Sequence, residues 1–221
     1  NMPAVSPVVE LLSQARSGLI SAEEAASKID SYRSVDVRND FNQYLYGHAI
    51  NQQYSMSLQG GSAISAWRIG AGLDRDLNEL SAKYNRVNLH LENSLRPVRN
   101  LQVMTSLYFT ESKSASGKPG YFDIPSISGA IPPYTQLADA NGHPLPIMNN
   151  YRQTWADTVG GGKLLNWSYY PLEDYNHTAN INRVLDITGD LGVNYKIIDG
   201  VQAEIRYRYE RQQSSDHILQ D

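Results

Sequence analysis

The stretch Arg86-Val87-Asn88-Leu89-His90-Leu91-Glu92 alternates polar and apolar side chains, and Ser94 and Leu95 continue the alternation. Successive side chains of a β-strand point to opposite faces of a sheet, so this period of two predicts a strand with one charged and one apolar face. After a short turn at 97–100, residues 101–110 repeat the pattern, with apolar residues at Leu101, Val103, Leu107 and Phe109. The two stretches together predict an antiparallel hairpin.

Four further stretches outside this hairpin alternate in the same way. Their apolar positions are Tyr54, Met56 and Leu58; Trp67, Ile69, Ala71 and Leu73; Ile187, Leu191, Val193 and Tyr195; and Val201, Ala203, Ile205, Tyr207 and Tyr209. Gly60-Gly61-Ser62 is a turn signal, and Asp199-Gly200 is a dipeptide typical of tight hairpins. The sequence therefore predicts a mainly β fold, an antiparallel up-and-down meander of six strands.

The remaining segments divide the chain further. Residues 1–50 are predicted to form a helical hairpin, because Ser6-Pro7 is a helix-start signal and Ser21 with Glu24 forms a capping-box pattern. We expect four strands over 51–113, a long aromatic-rich loop over 114–180, two strands over 181–213 and a tail over 214–221. The helical hairpin is interpreted as a connector without chemistry.

Strand length and connection length favour a segment of an outer-membrane β-barrel. The predicted strands of about 10–13 residues exceed the five or six that are usual in globular sheets. Short connections at 61–64, 97–100 and 197–200 alternate with longer ones at 76–83 and 114–180. In a meander all short turns then lie at one end, as periplasmic turns do in outer-membrane barrels.

Aromatic residues near the strand ends are typical of the girdles that such barrels place at the two membrane interfaces. The candidates for these positions are Tyr54, Trp67, Tyr84, Tyr108, Phe109, Tyr195, Tyr207 and Tyr209. The pattern predicts a location in a bacterial outer membrane, in contact with its lipid.

Composition argues against several other classes. The chain has no cysteine and a net charge of −4, so thiolate chemistry is excluded and nucleic acid is not an expected partner. Its five histidines show no metal-ligand spacing, and Gly160-Gly161-Gly162-Lys163 lacks the spacing of a phosphate-binding loop. We therefore predict no catalytic residues, no metal, no cofactor and no enzymatic activity.

Several motifs occur in an order that resembles a known family. They are Gln53 to Ser62, ending in Gln-Gly-Gly-Ser; Trp67 to Asp74; Tyr84-Asn85-Arg86-Val87-Asn88-Leu89; Leu101-Gln102-Val103; Leu164-Leu165-Asn166-Trp167 with Tyr170-Pro171-Leu172; and Gly189 to Tyr195. This series is similar to the barrel of SusC-like (RagA-like) TonB-dependent transporters, and it covers most of residues 35–212.

The resemblance implies energised import of an oligosaccharide, a peptide or a similar nutrient across the outer membrane. It also implies a SusD-like lipoprotein and TonB as partners. Members of the family carry a plug domain and a TonB-contacting segment before a barrel of about 22 strands. Because this sequence shows neither and predicts six strands, we expect a barrel segment that does not transport by itself.

Two sets of residues are candidates for contact with a ligand. Aromatic side chains of the long loop are expected to stack on a nutrient such as a sugar: Tyr151, Trp155, Trp167, Tyr169 and Tyr170. Charged side chains of the polar strand faces are expected to line the lumen: Arg68, Arg86, Glu92, Arg206 and Arg208. Loop packing and salt bridges within the lumen are the plain alternatives for these residues.

A soluble β-sandwich or β-barrel module that binds carbohydrate is the alternative class. It predicts that the apolar strand faces pack against each other. In either class an open meander of six strands has two bare edges and one apolar face. We expect the helical hairpin, the long loop or a second copy of the chain to cover them, the last by self-association through exposed strand edges.

Overall fold

The computed structural model describes residues 3–126, 129–156, 158–164 and 168–220. It divides into two compact units. The sheet unit comprises residues 48–116 and 179–219, and the helix–loop unit comprises residues 1–47, 117–178 and 220–221. Each unit is therefore assembled from segments that are far apart in sequence.

The sheet unit is a single antiparallel sheet in which every strand pairs with its neighbours in sequence, in the order β1-β2-β3-β4-β5-β6. The strands are β1 Ile50–Gly61, β2 Ser65–Leu77, β3 Lys83–Val98, β4 Leu101–Ala115, β5 Thr178–Ile198 and β6 Val201–Gln220. The predicted mainly β fold, an antiparallel meander with a helical N-terminal region, is confirmed.

The connections between strands alternate in length as the sequence predicts. Residues 62–64, 99–100 and 199–200 are short turns, and residues 78–82 and 116–177 are the longer connections. Gly200 adopts a φ of 87° in the last turn, a conformation that favours glycine. In the 78–82 connection the Asn78 side chain accepts hydrogen bonds from the backbone N–H groups of Leu80 and Ala82, and Ser81 adopts a φ of 64°.

The last two strands are longer than the sequence predicts. A tail was expected from residue 214, but β6 continues to Gln220. Hydropathy alternation stops where Gln212, Gln213, Ser214 and Ser215 follow one another, whereas backbone pairing does not need apolar side chains. Side chains also link the strands there, since Asn182 Nδ2 donates to Asp216 Oδ1 at 2.5 Å.

Strand register assigns the side chains to two faces, because directly opposed residues of antiparallel strands lie on the same side. One row contains Leu58, Ile69, Leu91 and Leu107, and the neighbouring row contains Met56, Ala71, Leu89, Phe109 and Ile187. We call the apolar rows of this face the apolar band. The opposite, charged face carries rows such as Gln59, Arg68, Glu92, Ser106 and Asp190.

The helix–loop unit begins with the predicted helical hairpin, α1 Pro7–Arg16 and α2 Ala22–Ser31. Ser6 and Ser21 cap the two helices by accepting from the backbone N–H groups of Val9 and Glu24. The Glu24 carboxylate pairs with Lys28 at 2.9 Å, so it does not close the predicted capping box. A 3₁₀ turn, Tyr32–Ser34, follows.

The hairpin leads into a core that the connector interpretation did not anticipate. Helix α3, Val37–Asp40, continues into a π-helical turn, Phe41–Leu45. Val37, Phe41 and Leu45 are buried, together with Ile124, Ile131 and Leu137 of the long loop. The loop also contains α4, Gln153–Ala156, and 3₁₀ turns at Val159–Gly162 and Asp174–Asn176. The segment 117–178 is thus an ordered half of this unit in its described parts.

Candidate functional site

Burial along β3 is the reverse of what a strand in a water-soluble sandwich shows. Along β3 the apolar residues Val87, Leu89, Leu91 and Leu95 are exposed, while the polar residues on the charged face are half-buried. Met56 of β1 is 75% exposed and Leu89 of β3 is 48% exposed. The apolar band is thus exposed in the described part of the chain, and how it is covered stays a prediction.

The charged face contains a trough of about 1100 Å³ that crosses the sheet from β1 to β6. Its polar lining comes from all six strands: Gln59, Arg68, Glu92, Ser94, Ser106, Tyr108, Asp190, Arg206 and Arg208. Because neighbouring strands hold these groups in one register, the trough presents cations and carboxylates within a few ångströms of one another.

Hydrogen bonds connect most of these groups across the strands. The Arg68 guanidinium donates to Gln59 at 3.3 Å, and the Tyr108 hydroxyl donates to Glu92 at 2.6 Å. Asp190 accepts from Ser106 Oγ at 3.0 Å and from Arg208 Nε at 2.6 Å. Arg206 pairs with Glu204. These polar groups therefore have hydrogen-bond partners within the sheet. The guanidinium groups of Arg68, Arg206 and Arg208 are also exposed, so a solute can reach them from one side.

A third ion pair lies on the same face, nearer the long connections. Arg86 Nε contacts Asp74 Oδ2 at 2.7 Å, and Asp74 is only 6% exposed. A carboxylate this deeply buried needs a partner, because desolvation of an unpaired charge is costly. Arg86 therefore serves to hold β2 and β3 together on this face.

A close approach between β2 and β3 explains one glycine of the charged face. A Cβ placed on Gly70 would lie 2.0 Å from Cε1 of His90. The His90 ring covers this position and stacks on Tyr108 at a centroid distance of 6.3 Å. Glycine at position 70 thus makes room for the His90 ring, which lies on the same face as the trough.

The five residues expected to line a lumen lie on one face in the structure. Arg68, Glu92, Arg206 and Arg208 border the trough, and Arg86 lies beyond it on the same face. Sequence reasoning missed Gln59, Ser106, Tyr108 and Asp190. Counting the strand register outward from the short turns would have found Ser106 and Asp190, since Ser106 is opposite both Glu92 and Asp190.

The aromatic candidates of the long loop are held by neighbours within the helix–loop unit. The rings of Tyr151 and Trp155 contact each other at a centroid distance of 4.6 Å, and both residues are half-buried. The backbone of Tyr169 forms an isolated β-bridge with that of Ile147, and burial raises the pKa of the Tyr169 hydroxyl. The Tyr170 N–H donates to Asp174 at 2.9 Å. Trp167 lies outside the described residues. A ligand-stacking role for this set stays a prediction.

Two of the residues expected in interfacial girdles lie on the charged face. Tyr84 is opposite Asp76, and Tyr108 is opposite His90, so both belong to the charged face. The prediction used position along a strand and not the face to which each side chain points. Tyr54, Trp67, Phe109 and Tyr195 do lie on the face of the apolar band.

Over the described ranges, no group of three or more His, Asp or Glu side chains is placed to hold a metal ion. In the same part of the chain, no helix is both long and apolar enough to cross a membrane.

Comparison of the chain with models of known protein families finds no match. Comparison with curated proteins finds no match either.

Proposed function

We propose that this chain forms six strands in the wall of a bacterial outer-membrane transporter of the SusC-like, TonB-dependent type. The transporter imports a nutrient, an oligosaccharide or a peptide, and works with a SusD-like lipoprotein and with TonB. The apolar band contacts lipid and the charged face borders the lumen. The observation that carries the proposal is the inverted burial along β3, where the aliphatic side chains are exposed and the polar side chains of the charged face are half-buried.

The height of the apolar band supports this assignment. On β5 the band runs from Leu185 to Tyr195. That segment covers roughly 34 Å along the strand, or about 24 Å across the membrane at the usual tilt of barrel strands. The apolar belt of outer-membrane barrels has about that height. The charged row that contains Arg75 and Lys113 begins directly beyond it.

The trough supports a solute-facing role for the opposite face. Its guanidinium, carboxylate, hydroxyl and amide groups are donors and acceptors of the kind that bind sugar hydroxyls and peptide groups. In a closed barrel this face would border the aqueous path. The soluble carbohydrate-binding module would instead have to bury the apolar band, and the chain leaves that band exposed.

Site-directed spin labelling tests the orientation of the two faces. The chain has no cysteine, so single labels at Leu89→Cys and Asn88→Cys report on adjacent residues of opposite faces. In lipid vesicles we expect the label at 89 to collide with dissolved oxygen and the label at 88 with a water-soluble nickel complex. Equal accessibility of both labels to nickel, or a protein that stays monomeric in detergent-free buffer, would overturn the proposal.

Import is tested in cells that carry the transporter gene. We expect Arg68→Ala combined with Arg208→Ala to reduce uptake of labelled oligosaccharide or peptide without changing the amount of protein in the outer membrane. The control, Lys28→Ala combined with Arg33→Ala, removes two cations from α2 and the 3₁₀ turn that follows it. Uptake unaffected by the first pair would separate the trough from the transport path.

A further inference from the structure

The apolar band ends in a row of cations at the side of the long connections. One register row contains Arg75, Asn85, Lys113 and Arg183. Lys83 lies one row further along β3. We call Arg75, Lys83, Lys113 and Arg183 the cationic row. Parity places all four on the face of the apolar band, because Arg75 is two residues from Leu73 and Arg183 is two from Leu185.

Most of these cations lack a protein counter-ion. Arg183 pairs with Glu111, the one acidic residue of the adjoining row on this face. Arg75, Lys83 and Lys113 are exposed, and among the described residues no carboxylate lies within ion-pairing distance of them. Three strand spacings separate Arg75 from Arg183, so the row spans about 14 Å.

The combination of exposed aliphatic surface and unpaired cations defines a ligand chemistry. Lysine and arginine keep their apolar stems along such a surface and extend the charged group beyond it. Cations beside a lipid surface attract its anionic headgroups, and each contributes roughly a fivefold gain in binding. An amphiphile with an acyl chain and an anionic headgroup matches both parts of the surface.

We propose that the cationic row binds the anionic headgroups, phosphate or carboxylate, of the lipids whose chains cover the apolar band. The lipid layer at the long-connection side of the sheet is therefore selected for negative charge. This inference rests on the proposed function, since it requires that lipid covers the band. It adds a headgroup site that the trough and the transport path do not involve.

The test compares binding of the full chain to vesicles of phosphatidylcholine alone and of phosphatidylcholine mixed with phosphatidylglycerol. We expect the chain to enter both and to prefer the mixture by about a hundredfold, the product of three fivefold contributions. The variant Arg75→Gln, Lys83→Gln, Lys113→Gln should lose that preference and keep its binding to pure phosphatidylcholine. A control with the same charge change, Arg16→Gln, Lys28→Gln, Arg33→Gln, should keep the preference.

The outcomes distinguish the two proposals. Failure of the chain to enter either vesicle would overturn the proposed function. Entry into both vesicles without a preference, or a preference that survives the triple substitution, would overturn the headgroup site alone. Equal loss in the control variant would show a net-charge effect and would also overturn it. Release by inorganic phosphate beyond that caused by sodium chloride of equal ionic strength would assign the row to a free anion.

Discussion

At the scale of single residues, the charged face is held by contacts between groups that the sequence separates. Asp74 and Arg86 are twelve positions apart and meet only because β2 and β3 pair in one register. The sequence could predict that both face the same way, because parity follows from the alternation. It could not predict that Asp74 is buried, since burial depends on how neighbouring strands curve and on which side chain covers it.

Removing Arg86 leaves the buried Asp74 carboxylate without its 2.7 Å partner. We expect Arg86→Met to lower the free energy of unfolding by about 2–3 kcal/mol, because an unpaired buried charge is costly. Urea unfolding in detergent micelles measures this. Arg68→Met is the control and should change stability by less than about 0.5 kcal/mol, because Arg68 is exposed and contacts a neutral partner. The double variant with Asp74→Asn should recover most of the loss, and an equal loss in it would contradict this account.

At the scale of elements, the strands were predictable and the helix–loop unit was not. Alternation locates a strand whose two faces meet different surroundings, and the exposed apolar band with its charged opposite face gives that signal strongly. The long loop has no such period. Its core residues Ile124, Ile131 and Leu137 are spaced irregularly and are buried against helices from the start of the chain. Local patterns cannot show a core that forms between distant segments.

The start of α3 contains an acidic group whose titration reports on local structure. Hydrogen bonds from the Arg38 side chain and backbone N–H lower the pKa of Asp36 from 3.8 to about 2. Because the folded pKa lies below the unfolded one, this interaction stabilises the fold above about pH 4 and is lost as the pH falls through about 2. Acid conditions should therefore loosen this turn before the buried core responds.

NMR titration of the side-chain carboxyl carbons tests this assignment. We expect Arg38→Gln to raise the Asp36 pKa toward its ordinary value, with part of the shift kept by the remaining backbone donor. Asp139 is the internal control, because its pKa is lowered by hydrogen bonds from His143 and not by Arg38. An Asp36 pKa that does not move in the variant would show that Arg38 is not the cause.

At the scale of the whole molecule, the exposed band dictates the surroundings that the chain tolerates. A surface of contiguous aliphatic side chains promotes aggregation in water, whereas contact with lipid is favourable for it. The helices and the long loop bury apolar residues in a core of their own, Val37, Phe41, Leu45, Ile124, Ile131 and Leu137. Nothing in a hydropathy pattern distinguishes residues that cover a sheet from residues that pack on one another.

Charge placed on the two faces should have opposite consequences for membrane insertion. Leu91→Lys puts a cation in the middle rows of the apolar band, and we expect it to make the free energy of insertion less favourable by about 2–4 kcal/mol. Asn88→Lys, three residues away on the charged face, should change it by less than about 1 kcal/mol. Folding into vesicles across a urea series measures both. Similar effects of the two variants would mean that the faces do not differ in surroundings.

The placement of segment 117–178 between two paired strands bears on how the chain folds. Hydrogen bonds between Ser116 and Asn180 hold the two ends of that segment side by side. Joining β4 to β5 without it would mean closing a long flexible loop, and the entropy of closure grows with loop length. A segment that collapses early onto the N-terminal helices shortens the effective loop. Early folding of the helix–loop unit would then reduce the entropy lost when β4 pairs with β5, and that pairing would be faster.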